Sequence, residues 1–211
     1  MKKITASVVA ALLSIAIVPA HAIDFGKLPS LGAKNNNAAG GASAAEVAKN
    51  TRNSLALFTA AELGLLAALG GYETLSADRA QAEGMAKGDA GVDTAQLESI
   101  VKLHKTASAE LDKKLAANVA LDADQKKLAA KSMLVYVQGL VSTRKTLASL
   151  QGVAKNPMAL GSDAGSVLFA VKELPSVVSG GVSTTGTLFK YLGANGVDMS
   201  EAKSAADGMG K

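Results

Sequence analysis

Three stretches of this chain share one spacing, and that spacing limits the folds open to it more than anything else it contains. In "VDTAQ" from Val92, "LDADQ" from Leu121 and "VDMSE" from Val197, an apolar residue precedes an aspartate, and Gln or Glu follows three places after it. An aspartate so placed can accept from the free N–H groups of a first helical turn while the later side chain reaches back, so each stretch is expected to open a helix. At the first, Val92 and Leu97 also have the spacing of a hydrophobic staple.

Composition agrees with helices. Aromatic residues are 3% of the chain. Alternating runs of β-branched residues are scarce, and the middle of the chain is written mainly in Ala, Leu, Lys, Gln and Glu. There is no cysteine. Disulfides and thiolate metal sites are thereby excluded, and packing must hold the fold.

The N-terminus sets the expected compartment. Lys2 and Lys3 precede an apolar run from Ile4 to Val18, then come Pro19 and the small-x-small sequence Ala20-His21-Ala22. This is the pattern of a cleaved secretory signal, with cleavage between Ala22 and Ile23. The run is too short to span a bilayer, and polar residues follow it at Asp24 and Lys27. The expectation is a periplasmic or secreted protein without a transmembrane span in the mature chain. Removing residues 1–22 takes two of the 22 basic residues and leaves 20 against 18 acids, close to neutral. A charge balance of that kind offers no polyanion footprint, so nucleic acid is not an expected partner.

The predicted organisation is a signal peptide (1–22), a leader (23–43) containing "NNNAAGG", one helical-bundle domain (44–207) and a frayed tail (208–211). Within the domain a long helix is expected from about Ala44 to Leu69, stopping at Gly70-Gly71, and a shorter one after Ser76 ending near Gly88. Helices from Asp93 and Asp122 form the next pair, a hairpin turning at Asn118 to Leu121. Beyond Asn156-Pro157, Val167, Val171, Leu174 and Val178 keep helical spacing, but Pro175 is expected to kink or end that helix and Gly180-Gly181 to break it. A short helix from Asp198 closes the chain. The fold class is therefore all-α, an up-and-down bundle of about four main helices with a looser C-terminal helical segment.

Catalytic motifs fail on inspection. "GVSTTGT" at Gly181 to Thr187 approaches a P-loop but has threonine where the phosphate-binding lysine belongs, and no strand precedes it. S-x-x-K occurs at Ser142 to Lys145 and at Ser200 to Lys203, both times without the companion S-D-N and K-T-G elements. Asp122 and Asp124 begin like a calcium loop, which Lys126, Lys127 and a missing glycine then contradict. A single histidine after residue 22 rules out the usual zinc sets. No catalytic residue, metal or cofactor is expected.

Helical wheels leave one anomaly. Val47, Thr51, Leu55, Phe58, Leu65, Leu66 and Leu69 form an apolar stripe with Glu62 at its centre, while Ala56, Ala60, Gly64 and Ala67 form a small-residue face opposite. On the helix after Asp93, His104 falls among Leu97, Ile100, Val101, Leu111 and Leu115. On the helix after Asp122, Arg144 falls among Ala130, Met133, Val137, Leu140, Val141 and Ala148. Charges on core stripes need partners, so Glu62, His104 and Arg144 are predicted to form an interior polar cluster, with Glu62 and Arg144 as its ion pair. The functional expectation is a non-catalytic interaction or structural protein. The alternative is a carrier of a small apolar or amphipathic, lipid-like ligand in a bundle cavity, with those three residues as polar contacts. An enzyme restricted to carboxylate or histidine acid-base chemistry ranks third. Residues 164–192, largely apolar, add interfacial membrane contact as a further expectation.

Overall fold

The computed structural model describes residues 43–72, 74–88, 92–155 and 160–207, so the expected signal peptide, nearly all of the leader and the tail lie outside the described residues. The chain is all-α: α1 (Ala44–Ala68), α2 (Leu75–Lys87), α3 (Thr94–Ala117), α4 (Ala123–Ala154), α5 (Ala164–Ala194) and α6 (Ser200–Ala206). No strand occurs among the described residues.

Two of the three aspartates cap as their spacing requires. Asp93 accepts from the Gln96 N–H at 2.7 Å. Asp122 forms a full capping box with Gln125. The third slips by one residue: Met199 stands at the cap position and α6 begins at Ser200, whose N–H is bonded by Asp198 at 3.0 Å. A fourth cap was not anticipated. Ser43 and Glu46 form a capping box at the start of α1. At the far end of α3, Asn118 takes the left-handed conformation (φ 48°) that lets the chain turn into α4.

α1 is the axle of the bundle, packing against α2, α3, α4 and α5. Its sequence explains this, because the large stripe and the small face are both apolar, and a helix apolar all round is buried all round. Directions alternate along the chain. Ser54 lies opposite Thr146, and Phe58 opposite Gly139, so α4 runs antiparallel to α1. α3 runs parallel to α1, with Arg52 reaching Gln96 and Glu62 reaching His104. The expected hairpin from 93 to 150 does not form as a packed pair, since α3 and α4 each lie against α1 and α5 rather than against each other.

α5 corrects the reading of the C-terminal part. Neither Pro175 nor Gly180-Gly181 breaks it, and one helix of 31 residues runs through all three. Besides Ser166 and Tyr191 its buried residues are Val167, Ala170, Leu174, Val177, Gly181, Thr185, Leu188 and Leu192, each three or four positions after the last. Pro175 stands on the exposed side, so its ring does not enter the packed face, and the helix loses one N–H donor there. Gly181 is a contact rather than a breaker: a Cβ there would lie 2.8 Å from both Leu140 Cδ1 and Phe58 Cζ. Glycine is what lets α5 sit this close to α4 and α1.

Candidate functional site

The interior cluster forms, with a different membership. Glu62 is fully buried on α1, and His104 on α3 is 5% exposed. His104 Nδ1 lies 2.6 Å from Glu62 Oε2. Ser108, one turn after His104, donates to Glu62 Oε1 at 2.8 Å. Both carboxylate oxygens are thus bonded by one face of α3, since residues four apart share a face. Phe58 lies one turn before Glu62, and its ring tilts against His104 at a centroid distance of 5.2 Å and against Tyr136 at 4.7 Å. The Tyr136 hydroxyl donates to the Gly181 carbonyl at 3.2 Å, which ties α4 to α5 behind the pair.

The electrostatics follow from this geometry. Burial disfavours the His104 imidazolium and Lys105 opposes it too, but the Glu62 charge and hydrogen bond outweigh them, and the His104 pKa is raised above its ordinary value. Burial pushes the Tyr136 phenol well above its usual range, and the Glu62 charge adds to that. Ser108 bonds the carboxylate and not the imidazole, so Ser108, His104 and Glu62 are not ordered as a nucleophile, base and orienting acid.

Arg144 does not belong. It lies on the exposed side of α4, and the register explains why. With Ser54 opposite Thr146 in antiparallel helices, Arg144 is level with Ala56, six residues and roughly 9 Å along α1 from Glu62 at 1.5 Å per residue. The predicted stripe on α4 was also rotated. The residues that α4 buries are Ala129, Ser132, Met133, Tyr136, Val137, Gly139, Leu140, Thr143, Thr146 and Leu150. Hydroxyls and a glycine make up half of that face, and hydropathy does not count them as core. The two threonines are buried without cost because a helical Thr can bond its own helix: Thr143 donates to the Gly139 carbonyl at 2.8 Å and Thr146 to that of Ser142 at 2.9 Å, whereas the buried Ser132 hydroxyl has no partner among the described residues.

The buried arginine is Arg52, at 2% exposure. Its guanidinium donates to the Gly88 carbonyl at the end of α2, to Asn53 Oδ1, and to Gln96 Oε1 at 3.5 Å in the first turn of α3. It thus satisfies a helix C-terminus and ties three helices at one level. A signal existed in the run Ala48, Arg52, Leu55, Thr59, Leu63, which has helical spacing and is buried throughout.

An open groove of about 620 Å³ runs between α3 and α5, away from Glu62. Val101, Ala109 and Phe169 provide its apolar surface, and Glu98, Lys102 and Glu110 stand around it. Lys105 crosses it to Glu173 at 3.0 Å. Among the described residues no group of three or more His, Cys, Asp or Glu side chains could hold a metal ion, and no helix is long and apolar enough to cross a membrane. No protein-family model, curated protein or solved structure matches the chain.

Proposed function

We propose that this is a non-catalytic periplasmic or secreted helical-bundle protein with an interaction or structural role. The observation that carries the reading is the closure of the Glu62 cluster. Its ionisable groups bond one another inside packed helices, where a general acid-base or a ligand-contacting group would have to face substrate. The sequence adds a secretory signal and no catalytic set.

The second reading, a carrier of a small amphipathic ligand, draws its support from the α3–α5 groove instead of a bundle cavity. Membrane contact through residues 164–192 gains little, because α5 turns most of its large apolar side chains inward and exposes Leu168 and Val182.

Native mass spectrometry of the protein purified from its own compartment tests the reading. The expected result is a chain beginning at Ile23, alone or with a protein partner in fixed ratio. A stoichiometric small amphipathic adduct, displaced by bulky substitution of Ala109, would replace it with the carrier reading.

A further inference from the structure

We propose that the Glu62–His104 pair is a pH-released latch: protonated, it holds α3 on the bundle, and loss of the His104 proton loosens α3 selectively while α1, α4 and α5 stay packed. It starts from the contacts around Glu62 and is independent of the functional reading.

α3 is the long helix with the least enclosed position. It packs on α1 and α5, without α4 to cover it. At mid-height its link to α1 is ionic, a carboxylate with no exposed surface held by an imidazole and a hydroxyl that both belong to α3. Among the described residues, no carboxylate of α1 is held this way by α4. Between these two helices Gly139 lies against the Phe58 backbone, and the facing hydroxyls of Ser54 and Thr146 bond carbonyls of their own helices.

When His104 loses its proton it can still donate from Nδ1 only as the tautomer whose Nε2 is bare, and Glu62 then keeps its charge in the interior without a counter-charge. A buried carboxylate in that state is costly. The least costly relief is to let water reach it, and the side that can yield is α3. Because α3 supplies seven of the nine residues around the groove, its release also reshapes that surface.

The other charged and titratable groups near the pair are accounted for. Tyr136 on α4 and Tyr72 before α2 both feel the Glu62 charge, and both phenols are raised. Lys105 on α3 faces Glu173 on α5. Glu110 acts on Tyr72 and Asp112 on Tyr136, both from α3. None of these is an imidazole, the side chain whose ordinary pKa lies between pH 5 and 8.

The sign follows from linkage. The folded-state pKa of His104 lies above its unfolded value. Its stabilisation is therefore complete below about pH 6.5 and is lost as pH rises through the raised folded-state pKa. Each unit of that elevation corresponds to about a tenfold change in the opening equilibrium.

Hydrogen exchange of the full chain between pH 6 and 10, corrected for intrinsic exchange rates, tests the latch. Protection of α3 should fall relative to α4 as pH rises, by about tenfold for each unit of elevation. The midpoint should coincide with the His104 imidazole titration followed by NMR in the same unmutated protein. Glu62→Gln should flatten the dependence. Parallel loss of protection in α3 and α4, a pH-independent α3, or midpoints that do not coincide would each overturn the proposal. The wild-type measurements decide the matter even if the variant does not fold.

Discussion

The two seams that α1 makes with α4 and with α3 solve the same packing problem by different chemistry. Against α4, α1 meets glycine and self-bonded hydroxyls, so the backbones come close: a Cβ on Gly139 would lie 2.8 Å from Phe58 Cα. Against α3, it meets a buried ion pair with one supporting hydroxyl. The first seam depends on shape and is indifferent to pH. The second depends on a proton. A bundle can thus be rigid along one side and conditional along another while one helix serves both.

The largest expected effect breaks the ionic seam. His104→Leu leaves Glu62 buried with Ser108 alone and should cost about 3 to 5 kcal/mol in urea unfolding, whereas Glu62→Leu combined with His104→Leu should recover most of it, because apolar replacement of a whole buried pair is often near neutral. Additive costs in that cycle would remove the pair from the account.

The shape-dependent seam responds to volume. Gly139→Ala places a methyl against backbone atoms that cannot step aside, and a loss of about 1 to 3 kcal/mol is expected. Measured at pH 6 and pH 9, that loss should be the same. A pH-dependent cost would mean the two seams are coupled and the contrast is false.

A smaller effect tests whether helix starts matter equally on both sides. Asp122→Ala removes the capping box of α4 and should lower stability by about 1 kcal/mol, with little change in the pH profile. Asp93→Ala at the start of α3 should cost a similar amount but shift the onset of α3 exchange to lower pH, since it weakens the conditional helix itself.

Smallest of all, Arg144→Met should change stability by less than about 1 kcal/mol and add simply to Glu62→Leu, as expected for an exposed side chain about two turns away. Non-additivity there would restore the interior pair that the sequence suggested.

Local chemistry specifies the helices and most of their faces. Capping aspartates, helix-forming composition and the absence of cysteine act locally, so they can be read without knowing the partners. For the same reason Glu62 and His104 could be recognised as out of place on otherwise apolar stripes. Which faces meet, and at what level, is fixed by contacts between segments far apart in the chain. On α4, Thr143 and Thr146 look polar in the sequence until their own helix satisfies them, and leaving them out of the stripe puts the exposed Arg144 into the core. Arg52 went unnoticed because its partners, the Gly88 carbonyl and Gln96, lie 36 and 44 positions along the chain. Pro175 and Gly181 have the propensity of breaks because propensity weighs a residue in isolation, whereas the continuous buried stripe of α5 outweighs one lost hydrogen bond and uses the missing Cβ as contact surface. Register is a sum of many weak contacts between distant segments, and no local spacing encodes that sum.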